Sequence, residues 1–82
     1  MKAYENYVSI FKKVFDIAED ELIDLKYRGI EEWDSVGHME LVSEIEDVFD
    51  IEMETDDIID FDSFEKGIEI LNAKYDVGIE KE

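Results

Sequence analysis

The chain has no cysteine, which excludes disulfides, thiolate metal sites and a cysteine nucleophile, so any thiol chemistry has to be imported. It has no proline, no low-complexity segment, and no internal repeat beyond an Asp-Ser pair at 34–35 that is echoed at 62–63. Long hydrophobic runs are missing too. The N-terminal stretch MKAYENYVSIFKKVFDIAED interrupts its apolar residues with Glu5, Lys12 and Lys13, and so lacks the continuous apolar core of a signal peptide or membrane span. A cytoplasmic protein without a membrane span is expected. Basic residues are scarce beside acidic ones. Eight Lys and Arg face 25 Asp and Glu, for a net charge of -17, and no Lys or Arg occurs between Arg28 and Lys66. Such a field repels nucleic acid and anionic membranes and attracts basic protein surfaces and cations.

What is present suits one small folded unit. A chain of 82 residues buries only about 60% of the surface that its unfolded form exposes and cannot be divided further, so residues 1–82 are read as a single domain and a monomer is expected. There is little room for a deep catalytic pocket, which argues against a stand-alone enzyme. A hydrophobic content of 45% with 12% aromatics argues for a core rather than disorder.

The periodicity is helical throughout. Tyr4, Tyr7, Val8, Phe11, Val14, Phe15 and Ala18 recur at three-and-four spacing and predict an amphipathic helix over 3–16. From Ile17 to Trp33 there is no clean period, which predicts a long connecting loop with one short helical turn. Asp34 offers an N-cap, and Val36, Met39, Val42, Ile45 and Phe49 predict a second helix over about 35–49. Thr55-Asp56-Asp57 reads as the cap of a short helix through Ile58, Ile59 and Asp60. Asp62, three residues before Glu65, reads as a capping box for a last helix carrying Phe64, Ile68, Leu71 and Tyr75. No run alternates with period two. The expected fold is all-α: a small four-helix bundle of three longer helices and one short one, with a long loop between the first two.

The two Asp-Ser pairs are the candidate sites. A serine at the first helical position, behind an Asp that caps, keeps its hydroxyl free next to unpaired N–H groups and the positive end of the helix dipole, where an esterified phosphate is stabilised. Ser35 after Asp34 and Ser63 after Asp62 meet this description equally by position. Their surroundings differ: Ser35 opens a helix with Glu40, Glu44, Glu46 and Asp47 and no cation, whereas Ser63 opens one with the mixed surface of Lys66, Glu69 and Lys74. His38, three residues from Ser35, raises a Ser-His nucleophile pair, but the strand-to-helix elbow and oxyanion hole of a hydrolase are missing from the sequence; His38 is expected at the surface. An EF-hand starting at Asp60 fails, with Phe64, Glu65 and Leu71 at its fifth, sixth and twelfth positions. No specific metal site is expected, only weak divalent binding to the anionic face.

The run Asp34-Ser35-Val36-Gly37-His38-Met39-Glu40-Leu41-Val42, continuing through Ile45-Glu46-Asp47-Val48-Phe49, resembles the prosthetic-group helix of acyl carrier proteins. Length, acidity and helix order extend the resemblance over nearly the whole chain. It implies that Ser35 carries 4'-phosphopantetheine, added by a phosphopantetheinyl transferase from coenzyme A with Mg2+. The arm's thiol would hold an acyl or aminoacyl group as a thioester, in a lipid or specialised biosynthetic pathway. By analogy Asp34, Glu40, Glu46 and Asp47 would dock on basic surfaces of the loading and processing enzymes, with Val36 and Met39 as apolar contacts. Val36 stands where Leu or Met is commoner in the family. Gly37 is shared with D-alanyl carriers and small carriers of specialised pathways, and Glu54 stands where many members have proline. The alternative is an acidic helical interaction module without a prosthetic group, with Trp33 and Met39 as core or interface residues.

Overall fold

A computed structural model describes residues 3–80. Its elements are α1 (Ala3–Phe15), a 3-10 turn (Glu19–Glu21), α2 (Ser35–Phe49), α3 (Thr55–Asp60) and α4 (Phe64–Lys74). Among the described residues there is no strand, and the fold is the expected small four-helix bundle. None of these helices is long and apolar enough to cross a membrane. The 3-10 turn is the short helical turn expected in the long connection. Helices α1 and α2 both end at an aspartate in the left-handed region, Asp16 at φ 53° and Asp50 at φ 55°. There the N–H groups of Asp16 and Asp50 close back on the Lys12 and Glu46 carbonyls, a turn that Asp tolerates better than most residues.

The core is built on aromatic rings. Tyr7, Phe11 and Phe15 follow one another at i+4 spacing, lie on one face of α1 and are all buried. Phe11 meets Trp33 edge-on at 5.5 Å and Phe64 edge-on at 5.1 Å, which joins α1 to the long loop and to α4. Trp33 is fully buried and stacks on Phe15 at 5.4 Å. Tyr7 donates to the Phe64 carbonyl at 2.7 Å, and burial is the main cause holding its hydroxyl pKa well above the ordinary value. Across the surface, Lys13 on α1 pairs with Glu44 on α2 at 2.8 Å.

The long loop is pinned rather than slack. Leu22 and Leu25 are buried, the Tyr27 N–H donates to the Asp62 carbonyl at 2.8 Å, and the Phe64 N–H donates to the Leu25 carbonyl at 2.9 Å. These bonds form an antiparallel bridge between Lys26 and Ser63. The bridge corrects one expectation. It holds Ser63 extended, at φ -160° and ψ 163°, so α4 starts one residue later than the Asp62 capping box predicts. Ser63 is itself the N-cap, its Oγ accepting from the Lys66 N–H at 2.9 Å.

The cap of α3 is a second correction. Thr55, Asp56 and Asp57 are not the cap but the first turn of α3, and its N-cap, Glu54, makes no side-chain capping bond. Asp57 is instead drawn inward: its carboxylate, buried to 3% exposure, accepts from Lys74 Nζ at 2.7 Å and from the Tyr75 hydroxyl at 2.6 Å. The Tyr75 oxygen also accepts from the Glu54 N–H at 2.8 Å, so one tyrosine ties the start of α3 to the end of α4.

These donors, Lys74 first and Tyr75 next, hold the Asp57 carboxyl below the ordinary value of 3.8. The sign of the resulting pH dependence follows. The unfolded state binds this proton more readily, so the contribution of the carboxylate is fully present above pH 3.8 and is lost as pH falls through the lower folded value. Comparing wild type with Asp57→Asn cancels the general relief of acidic repulsion. The gap between their thermal midpoints is expected to narrow on acidification from about pH 6 to about pH 3, across the carboxylate range. A gap that widens in acid would contradict this assignment.

Candidate functional site

Ser35 is the first residue of α2, and the segment before it decides what its hydroxyl can do. Asp34 is extended, at φ -109° and ψ -165°, and its Oδ1 accepts from the Gly37 N–H at 2.9 Å. This is an N-cap bond, so the cap is supplied by Asp34 and not by Ser35. The Ser35 side chain is exposed, and its Oγ lies 3.3 Å from the Tyr27 hydroxyl. The two serines that look alike in sequence therefore differ in structure: the Ser63 hydroxyl is committed to its own helix, and the Ser35 hydroxyl faces outward.

Two hollows meet at Ser35. A groove of about 730 Å³ runs between α1 and α2, with Val14, Val36 and Met39 among its walls and the Lys13–Glu44 pair at its far side. A crevice of about 350 Å³ lies on the opposite side, between the loop, α2 and the end of α3, and Tyr27, His38, Met39, Ile58, Ile59 and Phe61 line it with Ser35. Val36, Met39 and Ile59 are 69%, 54% and 70% exposed, so the serine is ringed by apolar side chains open to solvent.

Gly37 and His38 close the underside of this region. Gly37 is buried, and a Cβ on it would collide with the Glu32 carbonyl oxygen and lie 3.2 Å from the Phe15 ring. The loop can return this closely to α2 only because the residue has no side chain. His38 is half-buried rather than at the surface as expected: its Nδ1 accepts from Trp33 Nε1 at 2.9 Å, and its Nε2 is 2.8 Å from the Ile58 carbonyl oxygen. Indole N–H only donates and a carbonyl only accepts, which assigns the neutral tautomer with the proton on Nε2. Both ring nitrogens are thereby occupied in tying α2 to Trp33 and α3, leaving neither to take a proton from Ser35.

The other residues singled out in the sequence are spread along α2. Val36, Met39 and Glu40 share the groove with Ser35. Glu46 and Asp47 lie about three turns further on, about 17 Å at 1.5 Å per residue. Asp34 uses one carboxylate oxygen as the cap, and Glu46 uses one to accept from the Met53 N–H at 2.8 Å; Glu40 and Asp47 are exposed. Sequence periodicity gives no sign of the Tyr27 contact or of the His38 hydrogen bonds, since each depends on a contact between separate elements. Compared with protein-family models, curated proteins and solved structures, the chain matches none.

Proposed function

We propose that the protein is an acyl carrier protein, with Ser35 as the attachment point of 4'-phosphopantetheine and without catalytic activity of its own. The observation that carries this reading is the state of the Ser35 hydroxyl: exposed at the first position of α2, released from capping by Asp34, and set where two apolar hollows meet. The residues fit the group. The free N–H groups of the first turn and the dipole of α2 favour an anionic ester, and Val36 and Met39 give an incoming enzyme apolar purchase beside the hydroxyl.

In the transfer from coenzyme A, Ser35 Oγ forms a bond to the phosphorus that bears pantetheine. The bond from that phosphorus to the bridging oxygen breaks, adenosine bisphosphate leaves, and the serine proton passes to a base of the transferase. The bound arm supplies the thiol that this cysteine-free chain lacks, on which acyl or aminoacyl groups travel as thioesters. A net charge of -17 steers the carrier to basic docking surfaces of its transferase and acyl-processing partners, raising encounter rates without a tight complex. The exposed Glu40 and Asp47 are the side chains freest to make those contacts, Asp34 and Glu46 each having one oxygen engaged.

Intact-mass analysis tests the reading. After incubation with coenzyme A, Mg2+ and a broad-specificity phosphopantetheinyl transferase, wild type and Ser63→Ala are expected to gain one phosphopantetheinyl group and Ser35→Ala none. No gain by wild type, with a control carrier modified in parallel, would leave an acidic interaction module as the better description.

A further inference from the structure

We infer that Tyr27 is a positioning residue for the chemistry at Ser35: its hydroxyl fixes the orientation of the serine Oγ for transfer and keeps a hydrogen-bond donor beside the ester afterwards. The inference rests on the carrier reading and deepens it. Its starting point is the 3.3 Å approach of the two hydroxyls, which joins residues from different elements. Whichever group donates, the bond favours one of the three staggered wells otherwise open to an exposed serine side chain.

A tyrosine in a long loop is a poor guide unless the loop is held, and this one is. The Tyr27 N–H is bonded to the Asp62 carbonyl, the next N–H, of Arg28, to the Trp33 carbonyl at 3.0 Å, and the Gly29 N–H to the Lys26 carbonyl at 2.7 Å. Arg28 takes φ 71° to make this turn, a left-handed conformation uncommon for residues other than glycine. The Tyr27 ring, 37% exposed, packs on two neighbouring rings. It stands edge-on to Trp33 at 6.4 Å and to His38 at 5.6 Å, and both of those rings are locked together by the Trp33–His38 hydrogen bond. Backbone pins and ring walls thus converge on one hydroxyl whose assigned partner is Ser35.

A ring at this place would pack equally well as phenylalanine, so the oxygen is the part to test. Tyr27→Phe keeps the ring contacts and removes the bond to Ser35. In steady-state loading by the transferase, kcat is expected to fall about two- to tenfold, the range that a single neutral hydrogen bond supports, with KM within about twofold of wild type. A second readout does not depend on turnover. The phosphorus-31 resonance of the loaded variant is expected to differ from that of loaded wild type at the same pH, and in wild type labelled with carbon-13 at the Tyr27 ring Cζ that resonance is expected to move on loading. Loading with unchanged kcat, matching phosphorus resonances and an unmoved Cζ signal would overturn the role of Tyr27 while leaving the carrier reading intact. A rise in KM alone would assign Tyr27 to docking and equally overturn positioning. No loading of wild type beside a modified control would overturn both readings together.

Discussion

Phe11→Ala is expected to lower the unfolding free energy by about 3–5 kcal/mol, the usual cost of truncating a fully packed phenylalanine. Phe11 has no exposed surface and lies at the centre of the ring cluster, with Tyr7 at 5.0 Å, Phe15 at 5.9 Å, Phe61 at 6.4 Å and Trp33 and Phe64 also in contact. Those rings come from α1, the long loop, the connection before α4 and α4 itself. Nothing else available to a small side chain spans them, so the cavity left by alanine cannot collapse without moving several elements. A chain of 82 residues has a total stability of only about 4–12 kcal/mol, so the loss removes a large share of it. Urea denaturation followed by helical circular dichroism measures the loss. A loss under about 1.5 kcal/mol would show that the site can collapse and that the cluster is less interlocked than its geometry indicates.

The same residue shows why much of the fold is legible in the sequence. Tyr7, Phe11 and Phe15 repeat at i+4, and Val42 and Ile45 recur in α2, so their helices and buried faces follow from period alone. The features that fail to show are those fixed by contacts between elements. The sequence around Asp62, Ser63 and Glu65 fits a cap at Asp62, and only the bridge to Lys26 in a non-periodic loop shifts the helix start by one residue. The difference matters for the site, because it gives Ser63 a capping bond and so separates it from Ser35. His38 is legible as a neighbour of Ser35 on α2, but its partners Trp33 and Ile58 lie in the loop and α3, and a helix projection contains neither. Asp57 looks like one more surface acid in an acidic run. Its inward turn depends on Lys74 and Tyr75, at the far end of the chain.

Gly37→Ala is expected to oppose its own helix propensity. In a helix interior alanine is favoured over glycine by about 0.5–1 kcal/mol, and on that ground alone the variant would be the more stable protein. The tertiary contact runs the other way. The new Cβ would overlap the Glu32 carbonyl oxygen, lie 3.1 Å from the Glu32 carbonyl carbon and press on the Phe15 ring at 3.2 Å. Two of those atoms are backbone, so the strain cannot be relieved by turning a flexible side chain, and overpacking of this kind costs about 1–3 kcal/mol or more. A net loss of about 2 kcal/mol corresponds to a thermal midpoint lower by roughly 8–16 °C in a domain of this size. The displaced segment, Glu32 to Asp34, leads directly into the cap of α2 and the Ser35 hydroxyl. Under the proposed carrier function, loading of Ser35 is expected to slow even at temperatures where the variant is fully folded, as the serine shifts relative to Tyr27. Differential scanning calorimetry and single-turnover loading separate the two effects. A midpoint at or above that of wild type would mean that propensity wins, and that the loop can retreat from α2 without cost.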